Sequence, residues 1–167
     1  MIPVWIDEQN APPAGAQLVE RAMRTWTTAS AGRFRLARTL MRAEARIEVT
    51  FVRDGGNYGE TRPRIDPARG IIDAAVVRIA ADVPADDLTR QIIAYLTALH
   101  ELGHALGLGH TTNFADIMYL FRYPDDPPRY FGDYRARLRS ADDIGNAAAT
   151  GLSAYDVEAL RALYEEK

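Results

Sequence analysis

Apolar residues recur along this chain with two different periods. At three- and four-residue spacing, Leu18, Val19, Ala22, Met23 and Trp26 form one stripe, which predicts an amphipathic helix over 16–29. At two-residue spacing, Ile47, Val49 and Phe51 alternate with Glu48 and Thr50, which predicts a half-buried strand over 45–52. A short apolar strand is expected at 4–6. The run "DGGNYG" breaks the chain with glycines. The "ETRPRID" that follows reads as an exposed edge strand, because Pro63 has no amide for a ladder and charge deters further pairing. Residues 70–80, "GIIDAAVVRIA", predict a stronger and more buried strand.

The longest helical pattern runs over 88–106, with Ile92, Leu96, Leu99 and Gly103 on one flank. Asp86 or Asp87 can cap its start, and Gly107 and Gly109 end it. Residues 111–118 read as a loop. The stretch 120–151 is rich in Pro, Asp, Arg and Tyr, with a short helix expected around 133–139. The final "LSAYDVEALRALY" is a helix: Ser153 and Asp156 have capping-box spacing, and Val157, Leu160 and either Leu163 or Tyr164 form its stripe. The order of elements predicts an α+β fold in a single domain, 1–167.

Composition narrows the function. A 47% apolar and 26% charged chain is an ordinary globular one. A net charge of −3 with no basic run gives no reason to expect nucleic acid or a membrane surface as a partner. No apolar run is long enough to span a bilayer. The opening "MIPVWIDEQN" has no features of a secretory signal, and a trimmed domain is expected. The absence of cysteine excludes disulfides, thiolate metal sites and thiol catalysis.

All three histidines fall inside "HELGHALGLGH", His100 to His110. His100 and His104 are four apart on a helix, so both imidazoles project from one face and can reach one zinc ion. Gly107 allows a turn that returns His110 as a third nitrogen ligand. Three protein ligands leave a fourth position for water, as a working zinc site requires. Glu101 stands on the neighbouring face, placed to act as general base toward that water. A lone histidine is usually structural. A match to HExxHxxGxxH at all its fixed positions is far more specific.

At these residues the chain resembles the metzincins, and most closely their matrixin branch, the matrix-metalloproteinase-like family. The resemblance implies a catalytic domain with a twisted mixed sheet, an antiparallel edge strand, a long active-site helix, a methionine turn and a C-terminal helix. Met118 in "DIMY" matches the methionine beneath the metal. Asp156 matches an acid that ties the last helix to that turn. The resemblance also implies that Tyr119, Phe121, Arg122 and Tyr123 shape the pocket for the side chain following the cut bond; ordinary loop anchoring would use the same residues. Leu120 replaces the tyrosine ligand of astacin- and serralysin-like enzymes, and no histidine is left for a second, structural zinc. Asp66 and Asp73 read as turn and surface residues. The pairs Asp125–Asp126 and Asp142–Asp143 are candidate calcium ligands that solvated loops would equally carry.

The expectation is therefore a zinc-dependent endopeptidase with one catalytic zinc, acting on peptide or protein substrates, monomeric and, as the family implies, secreted or extracytoplasmic. The edge strand "YGETRPRI" could receive an extended substrate by strand addition. The alternative is a zinc-containing binding module or pseudoenzyme, in which the long 120–151 segment blocks the cleft. A zinc hydrolase acting on a non-peptide amide would use the same residues.

Overall fold

Trp26 and Leu99 mark the junction on which the fold is built. In the computed structural model, which describes residues 1–53 and 56–165, the buried Trp26 indole donates a 2.8 Å hydrogen bond to the Leu99 carbonyl. The two residues lie on helices α1 (Gly15–Ala29) and α2 (Asp87–Ala105), which pack side by side on one face of a sheet. The sheet contains β1 (Ile2–Ile6), β2 (Leu36–Thr39), β3 (Ile47–Val52), β4 (Gly59–Asp66) and β5 (Ile71–Ala80), in the order β2-β1-β3-β5-β4. Neighbouring strands are parallel except β4, which runs antiparallel to β5 at the edge. Helices α3 (Asp126–Arg135) and α4 (Ala154–Leu163) complete the α+β fold that the order of elements predicts, with the mixed sheet and antiparallel edge that the resemblance implies. Asp54 and Gly55, part of the expected glycine break, lie outside the described residues.

The core lies between the sheet and the helices. Val4, Val49, Phe51, Val77 and Ile79 from the strands meet Leu18, Val19, Trp26, Leu96 and Leu99 from α1 and α2, all buried. Burying each such side chain stabilises the fold by roughly 1.5–3 kcal/mol relative to exposure. Strand β5 is more buried than the edge strand β4, as expected, but through one face only. Ala75, Val77 and Ile79 point into the core, whereas Val76 and Arg78 point out. Its continuous apolar run therefore conceals a two-faced strand.

Two further elements differ from expectation. Strand β2 carries only one buried residue, Leu36, so its sequence "LART" has no readable period. The helix in the 120–151 stretch begins well before the expected 133–139, with prolines in its first turn. Proline is tolerated there because the first helical amides have no intrahelical acceptor.

The helix ends otherwise follow local chemistry. Asp86, not Asp87, caps α2 by accepting from the Thr89 amide. In α4 the capping box forms in both directions: Ser153 Oγ accepts from the Asp156 amide and Asp156 Oδ2 from the Ser153 amide. Tyr164, not Leu163, closes that helix on the core, with its ring 4.8 Å from Phe34 and its hydroxyl donating to the Leu106 carbonyl. Among the described residues no helix is long and apolar enough to cross a membrane.

Candidate metal centre

The last turns of α2 carry His100 and His104, and the way the helix stops brings in His110. Gly107 adopts φ +101°, a left-handed value that a side chain would strain. Its amide donates to His104 O at 3.0 Å and the Leu108 amide donates to Gly103 O at 2.9 Å, the paired bonds of a Schellman ending. The chain thereby reverses over the helix terminus. His104 Nε2 and His110 Nε2 come within 3.0 Å, and the three imidazole centroids stand 4.6–5.4 Å apart.

Backbone carbonyls select the tautomers. His100 Nδ1 lies 2.6 Å from Ile117 O and His104 Nδ1 lies 2.9 Å from Leu108 O. A carbonyl only accepts, so each Nδ1 carries the hydrogen, and in the neutral imidazole the lone pair is left on Nε2. Ligand nitrogens from all three histidines fall within 4.8 Å of one another, a donor set that fits one zinc ion. Burial pushes the His100 pKa down to about 4, assisted by the neighbouring His104 and His110, and burial also lowers that of His110. Both rings are held in the neutral form that a metal requires.

Glu101 is buried beside this cluster. Its carboxylate Oε2 accepts from the Thr61 hydroxyl of β4 at 2.6 Å. Burial pushes its carboxyl above the usual range, while the Thr61 hydroxyl and His104 pull it back. The base candidate is thus held by the edge strand, which the sequence did not reveal. Thr61 looked like one more polar residue of an exposed strand, although the alternation of β4 turns it toward α2.

Met118 is almost completely buried. It packs against Gly103, where a methyl group would stand only 2.5 Å from Met118 Sδ. The turn around it is fastened to α4, because Asp156 Oδ2 accepts from the Ile117 amide at 2.8 Å and Ser153 Oγ donates to Asp116 Oδ1.

A cavity of about 520 Å³ opens beside the histidines and Glu101. Tyr119 and Phe121 are among the residues that line it, and Arg122 and Tyr123 are not. Tyr123 is 67% exposed. Its amide and that of Arg122 donate instead to Asp126 Oδ2, which also accepts from the Tyr119 hydroxyl. Tyr58, Leu96, Tyr130 and Phe131 complete much of the apolar lining, and the sequence did not mark them as pocket residues. The adjacent aromatics of "RYF" were the available signal. They could not be placed without knowing where α3 begins.

One acid of each loop pair, Asp126 and Asp143, is already engaged by protein donors. Asp126 takes three, and the Arg122 amide foremost holds its carboxyl below the usual range. Asp143 accepts from the Arg139 amide and belongs to a capping box.

Residues 7–131 match the family model described as Matrixin. Over 141 residues, 80% of this chain, the sequence is 31% identical to an interstitial collagenase of Equus caballus. The chain spans 27% of the length of that curated relative.

Proposed function

The chain belongs to the matrixin family, and from that premise we propose that it is a zinc-dependent endopeptidase with Glu101 as its general base. The observation that carries this reading is the convergence of three histidine nitrogens beside a buried carboxylate, in the lining of one cavity. His100, His104 and His110 would hold the ion and leave the fourth tetrahedral position open. When bound, zinc supplies a Lewis acid for the scissile carbonyl and the attacking water. Glu101 takes the proton from that water and delivers it to the nitrogen of the leaving amine. Its desolvated carboxyl, more basic than in water, suits the first transfer.

The substrate would lie extended along β4, whose outer edge pairs with no other strand among the described residues. The side chain following the cut bond would enter the cavity against Tyr119 and Phe121. An exported peptidase cutting peptides or proteins as a monomer remains part of the proposal.

The alternative was a binding module whose 120–151 segment blocks the cleft. That segment forms α3 and lines the cavity with Tyr130 and Phe131, and the cavity still reaches Glu101 and the histidines. This favours the enzyme. The test is incubation of the zinc-loaded chain with a mixed peptide library, with and without a chelator. Cuts that stop with chelator and return with zinc are expected. No cuts at any zinc loading would overturn the proposal in favour of the binding module.

A further inference from the structure

We infer that Thr61 on the edge strand is a positioning residue for Glu101, anchoring Oε2 so that Oε1 handles the proton. The inference rests on the reading of Glu101 as the base. A glutamate side chain has three rotatable bonds, and a base whose carboxylate wanders loses most of its advantage. The helix alone does not fix it. Thr97 and Glu101, four apart on α2, present one face to β4, and β4 answers with Gly59 and Thr61, two apart on the side of the strand turned toward α2.

The two residues of β4 have complementary tasks. The Thr61 hydroxyl lies 2.6 Å from Glu101 Oε2 and 2.9 Å from the Glu101 carbonyl oxygen. It has one hydrogen to give, and the nearer, negatively charged oxygen receives it. Gly59 supplies space. A Cβ at that position would stand 2.8 Å from Glu101 Cγ, 2.9 Å from Oε1 and 2.6 Å from Thr97 Cγ2. The carboxylate therefore sits with one oxygen tethered and the other against a residue that has no side chain. The strand that would receive the substrate also aims the base.

The test compares Thr61→Val, which keeps the shape and β propensity but removes the hydroxyl, with Thr61→Ser, which restores it. In the zinc-loaded chain, Thr61→Val is expected to lower kcat by about 10–100-fold with KM and zinc stoichiometry unchanged. Thr61→Ser recovers most of the loss. Thr61→Ala carries the same expectation as Thr61→Val should the latter fold poorly. Crystal structures of the metal-free proteins give a readout independent of turnover: the Glu101 carboxylate leaves its place in Thr61→Val and keeps it in Thr61→Ser. Wild-type kcat in both Thr61→Val and Thr61→Ala, a loss confined to KM, or an unmoved carboxylate would overturn the inference. Glu101→Ala separates the two readings. If it cleaves at full rate, the base assignment itself fails; if it is inactive while Thr61→Val is fully active, only the role of Thr61 fails.

Discussion

His100 and Ile117 are joined by a 2.6 Å hydrogen bond from the imidazole Nδ1 to the backbone carbonyl, across 17 residues of sequence. The Ile117 amide in turn donates to Asp156 on α4. A candidate metal ligand is thus oriented by a turn that a distant helix holds in place. Asp156→Ala removes the acceptor of both the Ile117 and Ser153 amides. The expected result is a loss of roughly 1–3 kcal/mol of stability. Zinc affinity should fall by about 10–100-fold, as for other supports of metal ligands. Competition with a chelator of known affinity measures the second effect. An unchanged zinc affinity would detach Asp156 from the site.

Gly103 lies between Trp26 and Met118, with no room for a methyl group. In Gly103→Ala the new carbon must push either the methionine turn or the α1–α2 contact. Overpacking of this kind destabilises by about 1–3 kcal/mol, despite the better helix propensity of alanine. Urea denaturation should show a lower midpoint. A midpoint raised by the substitution would mean that the helix and turn yield freely.

The depressed pKa of His100 gives the metal-free protein an acid sensitivity of defined sign. The folded chain keeps this ring neutral down to about pH 4, whereas in the unfolded chain it protonates near 6.5. Between those values the unfolded state binds more protons, so this contribution to stability is present above about 6.5 and declines as the pH falls toward 4. Between pH 7.5 and 5.5 the contribution shrinks by about 1 kcal/mol. Denaturation in the presence of chelator should show this decline in the wild type and a flatter profile in His100→Gln. Parallel profiles would contradict it.

Asp126 gathers the Tyr119 hydroxyl and the amides of Arg122 and Tyr123 at one wall of the cavity. Asp126→Ala should loosen that wall without touching Glu101. A raised KM with little change in kcat is expected for peptides with an apolar residue after the cut bond. A kcat loss equal to that in kcat/KM would place Asp126 closer to the chemistry.

The legibility of this chain divides by the range of the interactions involved. The histidine cluster was readable because helix pitch and a glycine turn, both local, bring its ligands together. The strands β3 and β4 and the caps of α2 and α4 were likewise written in spacing and end residues. Strand β2 was not, since a short outer strand with one buried side chain has no period to detect. The start of α3 was hidden because consecutive prolines resemble a loop until they are seen to occupy a first turn. Thr61, Tyr130 and Phe131 acquire meaning only when β4, α2 and α3 are brought together, which no local pattern encodes.

The central claim is that Glu101 performs the proton transfers at an intact metal centre. Its most direct test is peptide cleavage by Glu101→Gln, measured with its zinc stoichiometry beside the wild type. One zinc per chain in both proteins, with cleavage lost only in Glu101→Gln, is the predicted result. Equal cleavage by both, at equal zinc content, would contradict it.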